Sequence, residues 1–176
     1  MSKRYPSLKP IPRLWLLSDA RNDAVLEKVL KRLPKGSGFV FRHYHLHEAD
    51  RFARYRKLRA LCRMRGIFMV LSGTETEARR WGADAAYGVN ASLATVHSLR
   101  ELRQASGAKA VLLSPVHATR SHPGGKSLGP VRFLMLAKAA CVPVIALGGM
   151  TAKRARALPM GRLIHGWAAI DGLSAR

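Results

Sequence analysis

This chain is poor in acid. Its 10 Asp and Glu stand against 31 Lys and Arg, and the formal net charge is +21. Such a field draws phosphates, acidic partners and nucleic acid alike. No helix-turn-helix, zinc-finger or RNA-recognition signature accompanies the charge, so it reads first as an arginine-rich exterior, with nucleic acid as a distant alternative partner. Cysteine is almost missing as well. Cys62 and Cys141 lie far apart without Cys-x-x-Cys spacing, which excludes a disulfide framework and a thiolate zinc site and leaves two reduced core thiols as the expectation. No apolar run approaches the roughly 18 residues of a membrane span, and the basic N-terminus lacks the apolar core of a signal peptide. A soluble, cytoplasmic protein is expected. A Gly-x-Gly-x-x-Gly fingerprint after the first strand, an internal repeat and a low-complexity tract are absent too, and the first of these absences counts against an open dinucleotide-binding sheet.

What is present is alternation. Short apolar runs take turns with longer amphipathic ones, the pattern of stacked βα units around a parallel sheet. Strands are expected at 13–18, 38–44, 67–71, 84–87, 93–97, 108–113, 142–147 and 162–166. Helices are expected at 22–33, 49–65, 74–81, 98–105 and 131–140, with a short one capped by Thr151 and a final turn over 168–173. Eight strands in this order predict an α/β fold, a compact (β/α)8 TIM barrel. Such barrels usually need about 250 residues, and this chain has 176; the saving falls on the connection between strands 4 and 5, too short for a helix. The reading is one domain over residues 13–176 behind a loose segment 1–12.

In a barrel of this kind every strand ends on the same face, and chemistry gathers there. The strand ends here carry Asp19, Arg42, Ser72, Tyr87, Thr95, His97, His117 and the pair Gly148–Gly149 before Thr151. These are cations, hydroxyls and glycines, the makings of a phosphate site and not of a carboxylate acid/base pair. Gly148 and Gly149 let the backbone approach an anion at a helix N-terminus, or else they only make a tight turn. Arg42 points into the barrel and needs an anion, or reaches solvent from the strand end. His43, His45 and His47 alternate as metal ligands could, but they would face the helices and no carboxylate is placed beside them, so no metal site is expected. Thr119, Arg120, Ser121, His122 and Lys126 form a donor-rich loop able to close over a pyrophosphate, or a bare basic loop.

Two stretches carry a resemblance. Ser114-Pro115 runs through Thr119 to Ser121, and Ala146-Leu147-Gly148-Gly149 closes the next strand; both resemble the thiamine phosphate synthase/TenI family. That likeness implies a (β/α)8 barrel that joins a pyrimidine methyl pyrophosphate to a thiazole phosphate, with magnesium and release of pyrophosphate. It implies pyrophosphate binding by Arg42, Thr95, Thr119, Ser121 and Lys126, and binding of substrate phosphate by Gly148, Gly149, Thr151 and Ala168. The departures are equally specific. The family's Asn-Asp pair after strand three falls at Ser72-Gly73 and its second metal aspartate near Ser92, its second strand-two cation is Tyr44, and its loop lysine is His122. Glu75 and Glu77 are the only acids near strand three. The magnesium ligands are therefore not found, and the metal site is expected to be impaired. A related branch of the family aromatises thiazole phosphate through a histidine at the end of strand six; Pro115 stands there, with His117 and His122 nearby as proton carriers. The expectations are a small phosphorylated metabolite as partner and Arg42, His117 and His122 as catalytic candidates. The alternatives are a thiazole tautomerase and a non-catalytic phosphate-binding or regulatory protein.

Overall fold

The computed structural model describes residues 10–119 and 124–173. Its strands close a parallel barrel in sequence order: β1 (Leu14–Leu17), β2 (Gly38–Phe41), β3 (Phe68–Ser72), β4 (Ala85–Gly88), β5 (Leu93–Val96), β6 (Ala110–Leu113), β7 (Val144–Ala146) and β8 (Gly166–Ala169), with β8 pairing back to β1. Alternate residues of each strand divide between two cores. Trp15, Leu17, Val40, Val70, Leu112 and Ile145 point inward and fill the barrel with Ala85, Ala110 and Ala168. Leu16, Phe39, Phe41, Met69, Val111 and Leu113 point outward against the helices. Small inward residues are needed because Trp15 is large: a Cβ on Gly38 would lie 2.2 Å from Trp15 Cε3. Each fully buried large side chain contributes roughly 1.5–3 kcal/mol of hydrophobic stabilisation.

The helices are α1 (Leu26–Arg32), α2 (Glu48–Arg65), α3 (Glu75–Trp81), α4 (Leu99–Gln104), α5 (Gly129–Lys138) and α6 (Ala152–Arg156). In α2, Tyr55, Leu58, Leu61 and Cys62 lie buried on one face, at the i, i+3, i+4 spacing that seats a helix on a sheet. Thr74 caps α3 through a capping box with Glu77, and Thr151 caps α6 by accepting from the Arg154 amide. Only residues 89–92 join β4 to β5, as the chain length required. No helix among the described residues is long and apolar enough to cross a membrane.

Four expectations need correction. Strand eight is Gly166–Ala169 and not 162–166, because the apolar Leu163-Ile164 pair belongs to a turn in which the Gly161 amide donates to the Ile164 carbonyl. The first helix opens earlier, as a 3-10 turn over Ala20–Val25 capped by Asp19. Strand two stops at Phe41, since His43 takes a φ of 44° and breaks the extended run. Cys62 is buried, with burial pushing its thiol up to about 12, but Cys141 is exposed; β7 begins only at Val144, which leaves Cys141 in the preceding turn.

Candidate functional site

The carboxyl ends of the strands surround a cavity of about 1130 Å³. On its β1–β2 side stands Arg42. Its amide donates to Ser18 Oγ at 2.7 Å, its Nε to the Ser18 carbonyl at 2.7 Å, and one guanidinium nitrogen to Asp19 at 2.9 Å. The anion that a buried arginine demands is thus partly supplied by the protein itself. Burial works to raise the Asp19 carboxyl, but hydrogen bonds and charge from Arg21, with the charge of Arg42, hold it below the usual range.

Beside Arg42 the wall is hydroxylic. Tyr44 and Ser72 share a hydrogen bond of 2.5 Å, Arg51 donates to the Ser72 carbonyl at 2.7 Å, and Thr95 hydrogen-bonds to Tyr87, whose phenol is pushed up by burial. A resident magnesium does not fit this wall, because hard cations take carboxylate oxygens. Glu75 accepts from the amide and hydroxyl of Ser92, and Glu77 from the amide and hydroxyl of Thr74; neither lines the cavity. Among the described residues Asp171 is the one carboxylate that does, and it faces Arg21 at 3.3 Å.

The opposite side, from β6 to β8, presents backbone amides and cations. The Val116 amide donates to the Leu147 carbonyl at 2.9 Å and the His117 amide to the Gly148 carbonyl at 3.1 Å, while Arg154 donates to the Gly149 carbonyl. In a trans peptide the N–H points opposite to the C=O. Anchoring these carbonyls on the β6 loop and Arg154 therefore turns the amides of Gly148, Gly149 and Met150 the other way. None of these amides has an acceptor among the described residues. Glycine is required here by closeness as well as by conformation: Gly148 has a φ of 100°, and a Cβ on it would sit 2.6 Å from Pro115 Cα. A row of such amides is a nest for a phosphate oxygen.

Lys126, Thr119 and Thr151 also line the cavity, whereas Ala168 faces the barrel interior and leaves the rim to Ala169, Ile170 and Gly172. His117 does not line it; burial, then the Arg154 charge, depress its imidazole. Ser121 and His122 lie outside the described residues. Sequence reasoning did not single out Arg132 and Arg154, both lining the cavity from the first turns of α5 and α6. A signal was available, since a helix N-terminus repels cations. Two arginines placed there, just after the motif-bearing strands, call for an anion between them.

Two histidine arrangements were also hidden. His97 lines the cavity with Nδ1 3.0 Å from the Ser114 carbonyl and 3.1 Å from Ser114 Oγ, which leaves Nε2 without a protein partner among the described residues. Asp23, His43 and His45 gather their ligand atoms within 4.8 Å, so a carboxylate does stand beside the strand-two histidines. It is already engaged, however, by His43 Nε2 and Arg54 Nε, each at 2.8 Å.

Residues 91–173 match the family model described as thiamine monophosphate synthase. Over this stretch, 83 of the 176 residues, the chain is similar to that family. No curated relative matches the chain. A solved structure, the thiamine phosphate pyrophosphorylase from Pyrococcus furiosus, shares the fold with a TM-score of 0.76 over 93% of this chain and 88% of that one, at 19% identity. The family match spans β5 to β8, which hold the free amides, Arg132 and Arg154. It does not reach β1 to β4, where Arg42 is tied to Asp19. The matched stretch and the row of backbone amides thus coincide.

Proposed function

We propose that this thiamine phosphate synthase-family barrel binds a heterocyclic phosphate monoester of the thiazole phosphate class, and that magnesium-assisted coupling of that ligand to a pyrimidine pyrophosphate is impaired. The row of free amides at Gly148, Gly149 and Met150 carries this reading. Backbone amides give a phosphate fixed donors without any side-chain entropy to lose, and Lys126, Arg132 and Arg154 add charge around them. Arg42, Thr95 and Thr119 face the same cavity and remain the pyrophosphate side. There, cations alone must meet the charge that develops on a leaving pyrophosphate, although electrostatic stabilisation is the largest catalytic term in most enzymes.

A thermal-shift comparison of thiazole phosphate with the unphosphorylated thiazole alcohol tests the proposal. Ligand at a hundred times its Kd adds about 2.7 kcal/mol, or roughly 5–10 °C for a chain of this size. Equal shifts from the alcohol and the phosphate would refute a phosphate site. Coupling assays with and without magnesium address the second clause: product formed at a rate that magnesium leaves unchanged is the expected outcome, and a rise of a hundredfold or more would overturn it.

The place of His97 on the cavity wall, anchored through Nδ1 at Ser114, favours a second reading, metal-free proton transfer on the bound heterocycle. A positioned imidazole serves as a proton carrier, and such a group is worth about 10²–10⁴-fold. His97→Gln should lower the exchange of the thiazole ring proton with deuterated solvent by that factor while phosphate affinity holds. An unchanged exchange rate would remove His97 from the chemistry.

A further inference from the structure

His43 is buried to 1% exposure yet bears both of its ring nitrogens on polar partners, and it is the one non-glycine residue among those described with a positive φ. Its ring stacks on Phe41 at 4.4 Å between centroids. The direction of each hydrogen bond follows from what the atoms can do. Asp23, held ionised by His43 and Arg54 against the effect of burial, only accepts, so His43 Nε2 carries the proton and donates to it at 2.8 Å. Burial depresses the imidazole, with Asp23 opposing it, and the Ser18 oxygen, already accepting from the Arg42 amide, has its own hydrogen to give. Nδ1 therefore accepts, at 2.8 Å, from the Ser18 hydroxyl, and that oxygen in turn accepts from the Arg42 amide at 2.7 Å. The result is a one-way chain from Arg42 through Ser18 and His43 to Asp23, with Arg54 closing the far end on Asp23 and Glu27.

Ser18 is the joint of this chain. It is fully buried, and it holds Arg42 twice: the hydroxyl takes the Arg42 amide, and the carbonyl takes the guanidinium Nε. His43 takes a left-handed backbone conformation directly after Arg42, and the two consecutive residues serve opposite faces, Arg42 the cavity and His43 the buried side toward Phe41 and Asp23. A conformation that most side chains avoid persists only where its surroundings over-determine it, and this is common at functional sites.

We propose that His43 is a positioning residue for the anion site: by locking Ser18, it sets the direction in which the Arg42 guanidinium enters the cavity. His43 itself touches no ligand. The inference rests on Arg42 serving the pyrophosphate side, but it can be tested apart from that role.

The test follows the Arg42 Nε–H signal in ¹⁵N–¹H spectra, assigned by its disappearance in Arg42→Lys, together with calorimetric affinity for inorganic pyrophosphate. His43→Phe keeps the aromatic stacking and loses both polar bonds, whereas His43→Gln presents a donor and an acceptor at similar separation. In His43→Phe the Nε–H should exchange with water at least about tenfold faster and pyrophosphate should bind roughly tenfold more weakly; His43→Gln should restore most of both. Asp23→Ala, on the partly exposed end of the chain, removes the acceptor that holds His43 Nε2–H and should shift both readouts in the same direction by a smaller factor if His43→Phe does not fold. A lower melting temperature with the Arg42 signal unaltered would make His43 merely structural and overturn the proposal. If the wild-type protein does not bind pyrophosphate, the pyrophosphate assignment of Arg42 fails, and the Nε–H exchange still decides whether His43 positions it.

Discussion

Gly166→Ala is expected to lower the melting temperature by about 8–16 °C. The added Cβ would lie 2.1 Å from the Arg13 carbonyl oxygen and 2.7 Å from Arg13 C and Cα. All three are backbone atoms, so no rotamer change relieves the overlap. They sit on the seam that closes the barrel, where Leu14 pairs with Trp167, Trp15 with Ala168, and the Trp167 amide donates to the Arg13 carbonyl at 2.8 Å. Opening that seam costs about 4 kcal/mol, at the upper end for point changes, and each kcal/mol is worth about 2–4 °C at this size. Gly107→Ala is the control, since nothing lies within 4 Å of a Cβ there. Circular dichroism melts of the two variants decide the matter. A Gly166→Ala protein within about 3 °C of wild type would mean that β8 is not where the structure has it.

The second large effect is functional. Arg42→Ala should weaken pyrophosphate binding about a hundredfold while changing thiazole phosphate affinity less than threefold, because the free amides stand on the other side of the cavity. Truncating one partner of a hydrogen-bonded charge pair typically costs about 2–5 kcal/mol, part of it from the partner left behind. Here that partner is Asp19, which would keep only Arg21. Arg42→Lys should not rescue binding. An ammonium cannot serve the Ser18 carbonyl and Asp19 with the fixed fork that the guanidinium brings to them at 2.7 and 2.9 Å. Calorimetry with both ligands checks the split. A parallel loss for both would place Arg42 in a shared role and would merge the two sides of the site.

Much of this was open to a reader of the sequence, and the gaps have physical causes. Ser114-Pro115 and Gly148-Gly149 announce themselves because two backbones packed this closely admit few residue types: a Cβ on Gly148 would lie 2.6 Å from Pro115 Cα. Strand eight was displaced because Leu163-Ile164 is more apolar than Gly166-Trp167-Ala168-Ala169, and apolarity is a weak guide where the barrel interior has room only for small side chains. Arg42 was placed at the cavity by alternation along β2, yet its pairing with Asp19 was not foreseen. The two lie 23 positions apart and meet only because β1 and β2 end side by side. Asp23 beside His43 escaped for the same reason, with a 3-10 turn delivering the carboxylate from the β1–α1 connection.

The order of apolar and amphipathic runs determined by itself the alternation of strands and helices, the shortened β4–β5 link and the glycine-rich rim, since each depends on neighbours along the chain. Tertiary structure alone decided which polar groups meet: Ser18 with His43, Tyr44 with Ser72, His97 with Ser114, and the carbonyls of Leu147 and Gly148 with the loop after β6. Strand periodicity tells which way a side chain faces, but the partner it finds is set by the register between neighbouring strands. At the mouth of this barrel it is set also by the left-handed turn at His43, which no pattern of hydrophobicity records.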